Sequence, residues 1–230
     1  MNRASFYNHL RPHVNLTTTN VSGLEKVLDY AEGRGTGLQS LAYILATAWW
    51  ETAQTMQPVR EAFWLSEDWR KRNLRYYPYY GRGYVQLTWE TNYRKAAEMV
   101  GLASETFVNN PNLVMDPKHA LPILFKGMET GIFTSKKLFD YVDDIDESDI
   151  EDSREFRAAR RVVNGTDKAA TIATLAVHFE YALKAGKYGE KKEVPEIVPQ
   201  TPARHFYIEG ANVAVNDVGI TMVWNKITEK

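Results

Sequence analysis

The sequence predicts a mostly α fold: one helical body with few short strands, followed by a small C-terminal tail. Three observations predict it. Apolar residues recur at helical spacing in six separate segments, strand-like alternation is scarce and short before the tail, and the composition turns to Lys, Glu and Pro after Gly186.

The strongest helix is LQSLAYILATAWWE, in which Leu38, Leu41, Ala42, Leu45, Ala48 and Trp49 follow the i, i+3, i+4, i+7 pattern. Further helices are predicted over 22–32, 91–100, 118–130, 153–162 and 168–185, the last stopped by Gly186. The run DYVDDIDESDIEDSRE is densely acidic but lacks the glycine and ligand spacing of a calcium loop, so it reads as a solvated, partly helical connector. The stretch GKYGEKKEVPEIVPQTPAR reads as a linker. The resulting division is a helical body over 1–186, a linker over 187–204 and a tail over 205–230, with one or two strands around Gly210 and an Asn216–Asp217 turn. No internal repeat occurs at a solenoid period.

A chain of 230 residues with 44% hydrophobic content suffices for one domain with a real core. Its 28 basic residues nearly balance 29 acidic ones, which excludes a global basic field for nucleic acid or anionic lipid. The run WRKRNLRYYPYYGRGY does interleave cations with tyrosines, as single-strand binders do, but the cluster is local and no nucleic-acid partner is expected. With no cysteine, disulfides, thiolate metal sites and cysteine nucleophiles are all excluded. His9, His13, His119, His178 and His205 are dispersed without an i, i+4 pair, so no metal and no cofactor are expected. No apolar run approaches the roughly 18 residues of a membrane span, and the N-terminus has no apolar leader; the chain is expected to stay in the cytoplasm until released by something else.

The chemistry centres on two carboxyl groups. Glu51 ends the strongest helix at the flank of its apolar stripe, hemmed by Trp49 and Trp50, where desolvation should raise its pKa and suit it to act as a general acid. Glu61 follows across a turn containing Pro58, beside Arg60 and the polar run SEDWRKRN, and reads as the ionised base, with Glu67 in the same loop as its substitute. Downstream, GRGYVQLT offers a glycine-permitted turn into a short extended run, in which Gln86 and Thr88 would share one face and Val85 and Leu87 the other. Thr88 could hold a water, while Gln86 and Asn92 could pair with sugar substituents. Trp64, Trp69 and Trp89 read first as core residues, with a cleft wall as the alternative.

These residues resemble glycoside hydrolase family 19, the lysozyme-like chitinases and their bacteriophage endolysin relatives. YYGRGYVQLTWETNY resembles the family signature at Gly81, Arg82, Gly83, Gln86, Leu87, Thr88, Asn92 and Tyr93. AWWETAQTM resembles the helix end that carries the catalytic acid, with Trp50 in place of the usual histidine, and NPNLVMDPKHALPILFKGM resembles the helix after the signature. AARRVVNGTD resembles the R-x-x-N-G segment, so the likeness covers residues 35–186. It implies a lysozyme-like helical domain with a cleft. Glu51 would be the acid, Glu61 the base and Thr88 a holder of the attacking water. Gln86, Asn92, Tyr93, Arg161 and Asn164 would bind sugar.

Inversion of this kind needs carboxyls about 6.5–9.5 Å apart. With no cysteine and nine residues between the acids, the chain is similar to the compact phage and bacterial branch. The implied function is hydrolysis of β-1,4 bonds between N-acetylated sugars of bacterial peptidoglycan, by a protein expected to act as a monomer without membrane insertion. The alternatives are a chitinase and, from another class, a non-catalytic glycan-binding module.

Overall fold

The computed structural model describes residues 1–145, 148–190, 204–208, 211–216 and 219–224. Among them nine α-helices form: α1 (Arg3–Leu10), α2 (Thr18–Arg34), α3 (Leu38–Glu51), α4 (Glu67–Asn73), α5 (Glu90–Met99), α6 (Thr106–Asn109), α7 (Pro117–Thr130), α8 (Asp149–Ala159) and α9 (Ala169–Ala185). Two short strands, β1 (Val59–Arg60) and β2 (Arg82–Gly83), pair antiparallel, Val59 opposite Gly83. The mostly helical expectation therefore holds. The chain divides into two compact units, Met1–Glu190 and Lys191–Lys230.

The first unit is built around α3. Every residue from Gln39 to Trp49 is buried, which marks a helix enclosed on all sides rather than one with a solvent face. α9 is its main packing partner, and α1 and α8 pack on α9 in turn. α3 lacks a side-chain cap of its own, because Gly37 occupies the N-cap position. Asp144 supplies one from a distance: its carboxylate accepts the Ser40 N–H and the Ser40 hydroxyl, both at 2.7 Å. Asp144, in the run read as a solvated connector, is thus a cap. The helix also begins earlier there than expected, at Asp149, because Ser148 accepts the Glu151 N–H.

Other boundaries shift for similar local reasons. α2 starts at Thr18 because Thr17 and Asn20 form a reciprocal capping box. α1, α4 and α6 were not expected; they are short, and in α4 the signal is a Ser66 cap rather than an apolar stripe. The body continues past Gly186, since Tyr188 is 7% exposed and its hydroxyl donates to the Thr36 carbonyl. Of the linker expected over 187–204, residues 191–203 lie outside the described residues, as do Gly210 and Asp217, and Arg204 already belongs to a strand.

In the second unit, β3 (Arg204–Ile208), β4 (Ala211–Asn216) and β5 (Gly219–Trp224) form an antiparallel meander in the order β3-β4-β5. That is three strands where one or two were expected; the run GITMVW, rich in β-branched and aromatic residues, supplies the third.

Gly23 allows α2 to lie against the loop that follows α3. A Cβ at this position would sit 1.9 Å from the Met56 carbonyl oxygen, which is backbone and cannot swing aside. Gly23→Ala should destabilise the protein by about 1–3 kcal/mol, read as a fall in melting temperature of roughly 2–4 °C for each kcal/mol. An unchanged melting curve would show that α2 does not seat on this loop.

Candidate active site

The strongly apolar α3 carries its only carboxylate at its last residue, so burial of the helix brings Glu51 to the edge of the core. There it lines a cleft of about 480 Å³, together with Glu61, Thr88, Gln86, Asn92 and Asn164. The cleft walls also include Arg75, Tyr76, Trp89, Phe133 and Val163. Six of the eight residues singled out from sequence thus meet at one surface.

Glu51 is mostly covered, with 15% of its side chain exposed, and Arg160 Nη1 donates to its Oε1 at 2.7 Å. Burial pushes the Glu51 carboxyl above the usual carboxylate range, Arg160 pulls the other way, and Asp167 adds a smaller upward push. Desolvation wins. The carboxylate also sits at a helix C-terminus, where the negative end of the backbone dipole disfavours charge in the same sense. Arg160 itself is 1% exposed and its Nε donates to the Asp167 carbonyl at 2.8 Å, tying the 160–167 loop to the pair.

Glu61 is held differently. Its Oε1 accepts from the Tyr76 hydroxyl at 2.7 Å and its Oε2 from the Gly81 N–H at 2.9 Å, while its own N–H donates to the Gly81 carbonyl at 2.6 Å. Burial and the adjoining Glu61 carboxylate push the Tyr76 hydroxyl up to about 12, so it remains a donor at neutral pH. Gly81 is required for this approach: an added Cβ would meet Gln86 Oε1 at 2.7 Å and Glu61 Oε2 at 3.2 Å. Two carboxyl groups therefore share one cleft in contrasting surroundings, one beside a buried cation and one oriented by two neutral donors.

The polar wall around Thr88 is a turn rather than the expected extended run. Arg82 and Leu87 exchange both backbone hydrogen bonds, closing a tight hairpin in which Gln86 has φ +52°. Val85 and Leu87 are buried against the core as expected, but they line the cleft together with Gln86 and Thr88, so the four do not divide cleanly onto two faces. The Thr88 hydroxyl donates to the Gln86 carbonyl at 2.7 Å, which leaves its lone pairs to accept from a ligand or water. Gln86 spends its amide hydrogens on the carbonyls of Val59 and Gly83, and Asn92 donates to the Thr88 carbonyl. Their side-chain oxygens and the second Asn92 amide hydrogen are the groups left for recognition.

Three expectations need correction. Tyr93 cannot touch a ligand: it is 0% exposed, and its hydroxyl donates to the Tyr80 carbonyl while accepting from Arg82 Nη1. Arg161 lines a separate depression instead of the cleft, and its neighbour Arg160 is the arginine at the acid. Glu67 is turned away as well, accepting from the Tyr80 hydroxyl and pairing with Arg70.

Of the three tryptophans, Trp89 lines the cleft, its ring 5.1 Å from Tyr76 in an edge-on contact and 5.2 Å from the Arg75 guanidinium. Trp64 is 71% exposed, so it is not a core residue. The cation-rich aromatic run is only partly folded inward: Arg82 is 3% exposed and lies 3.6 Å from the centre of the Tyr80 ring, and Arg70 is 4% exposed, whereas Lys71, Arg72 and Arg75 are exposed.

Sequence reading missed Arg160, Tyr76, Arg75, Phe133 and Val163. Only Arg160 left a signal, falling four residues after the buried Phe156 on the apolar face of α8. Among the described residues no group of three or more His, Asp or Glu side chains could hold a metal ion, and no helix is long and apolar enough to cross a membrane. Compared with known protein families, curated proteins and solved structures, the chain matches none.

Because folding holds the Glu51 carboxyl above its ordinary value of 4.5, its contribution to stability is fully present below that pH and is lost as the pH rises through the folded value. Glu51→Gln removes this titration. Its melting temperature relative to wild type should therefore rise across that window. The reverse trend would mean that Arg160 outweighs desolvation.

Proposed function

We propose that the protein is a glycoside hydrolase that cleaves β-1,4 bonds between N-acetylated sugars of bacterial peptidoglycan, with inversion, in the manner of a phage-type endolysin of the lysozyme-like family 19 class. The observation that carries this reading is the pair Glu51 and Glu61 on one cleft in contrasting surroundings, the first raised by burial beside Arg160 and the second held by the Tyr76 hydroxyl and the Gly81 N–H. Glu51 would donate its proton to the glycosidic oxygen as the C–O bond breaks, and the charge it acquires is met by Arg160. A water attacks the anomeric carbon from the other face and gives its proton to Glu61. Thr88, its hydrogen already committed to Gln86, would accept the water's second hydrogen and so aim a lone pair at the carbon. Proton exchange with solvent resets both carboxyls.

Trp89, Asn92 and Asn164 supply what a pyranose offers surfaces to: an apolar ring face and amide groups for hydroxyl or N-acetyl substituents. Chitin shares the glucosamine backbone, so both polymers belong in the test.

Reducing ends released from purified wall sacculi and from chitooligosaccharides should appear with wild type and fall by about 10²- to 10⁴-fold in Glu51→Gln and in Glu61→Gln. Thr88→Ala removes one positioning contact and should cost about tenfold. Mass spectrometry of the released muropeptides names the reducing-end sugar and hence the bond. Full activity in Glu51→Gln would remove the acid assignment; glycan binding by wild type without any reducing ends would favour a binding module.

Arg160→Gln removes the cation that lowers the Glu51 pKa. The alkaline limb of its kcat/KM profile should shift to higher pH, and an unmoved limb would mean that another group is the acid.

A further inference from the structure

A second depression, of about 560 Å³, lies where α8 hands over to α9, and its lining is cationic. Arg154, Arg157 and Arg161 recur at i, i+3 and i+7, and Lys168 joins them with Thr166 and Thr171; no carboxylate belongs to the lining. Arg154, Arg157 and Lys168 make no ion pair or side-chain hydrogen bond with a described residue, and Arg161 makes one long contact to the Ala158 carbonyl. In a chain with 28 basic and 29 acidic residues, such a grouping is a local feature and not a consequence of composition. α9 adds to it. Its first turn borders the depression at Ala169, Ala170 and Thr171, and its N-cap, Lys168, provides no side-chain acceptor.

The depression adjoins the cleft along the chain. In one short segment Arg160 reaches Glu51, Val163 and Asn164 line the cleft, and Arg161, Thr166 and Lys168 line the depression. Guanidinium forks match carboxylate and phosphate oxygens equally well.

We propose that this depression binds the anionic substituents, carboxylate or phosphate, of a wall polymer whose sugar backbone occupies the cleft. The inference rests on the glycosidase reading of the cleft and narrows it, because it makes the preferred substrate a charged glycan over a neutral one such as chitin. Holding these four cations close together is unfavourable in the free protein, and a bound anion relieves that repulsion. The gain is screened by salt.

The test is co-sedimentation of the full chain, on ice, with whole sacculi, with sacculi stripped of phosphate polymers by acid, and with whole sacculi in the presence of excess soluble stem peptide; insoluble chitin is the neutral comparison. Wild type is compared with the triple variant Arg154→Gln/Arg157→Gln/Lys168→Gln. Wild type should favour whole sacculi over chitin in a salt-sensitive way, and the variant should bind sacculi about tenfold more weakly. Loss of the wild-type advantage after acid stripping assigns the anion to phosphate, and loss under competition by soluble stem peptide assigns it to stem carboxylates. Equal sedimentation of variant and wild type, or no binding by wild type, overturns the proposal. Reducing ends counted in parallel at a permissive temperature keep the two readings apart: charge-dependent binding without bond cleavage fails the hydrolase and leaves the anion site standing, whereas cleavage with charge-independent binding does the opposite.

Discussion

The buried contact between Arg160 and Glu51 is the constraint on which the candidate site depends. A helix enclosed on all sides must end somewhere, and α3 ends on a carboxylate that would be costly to cover without a partner. Arg160 supplies that partner from the far end of α8, and through the Asp167 carbonyl it also closes the loop that carries Asn164 into the cleft. One guanidinium therefore links the most buried helix, the start of α9 and the cleft wall. Because the arginine is itself 1% exposed, its charge has no escape to solvent that would leave the packing intact.

The opposite wall is organised by a different arginine. Arg82 donates to the carbonyls of Pro78 and Tyr80 and to the Tyr93 hydroxyl, so the chain from Pro78 to Tyr93 is wound around a single cation. Arg70 does the same for the preceding loop by donating to the carbonyls of Glu61 and Ala62. These bonds leave the Glu61 carboxylate with little freedom beyond its contacts to Tyr76 and Gly81. A run that resembles a nucleic-acid platform when read as text supplies, through its buried Arg70 and Arg82, the internal scaffold of a polar cleft, while Lys71 and Arg72 stay on the surface.

Periodic helices were readable from the sequence because burial writes itself into apolar spacing: α3, α5, α7 and α9 appear within a few residues of their expected limits. The meeting of Glu51, Glu61, Gln86, Thr88, Asn92 and Asn164 was also anticipated, from motif resemblance and from the position of Glu51 on its helix. What escaped was set by long-range pairing. Nothing local distinguishes Arg160 from Arg161 beyond one step of helical phase, and that step decides which reaches the acid. Tyr93 looked available because its hydroxyl is polar; its two partners lie eleven and thirteen residues away, in a turn whose closure depends on a backbone exchange between Arg82 and Leu87. Asp144 was unreadable as a cap for a related reason, being 104 residues from the serine it serves.

That distant cap bears on how the protein is made. α3 receives the acceptor for its first turn from Asp144 and the cation at its last residue from Arg160, so both ends of the helix wait for a segment translated long after it. A ribosome that has delivered only the first hundred or so residues has exposed an apolar helix with neither end satisfied and no second wall for its carboxylate. The two carboxyls therefore come to share one cleft only when synthesis of the body is nearly complete, and until then the apolar α3 lacks the packing that encloses it.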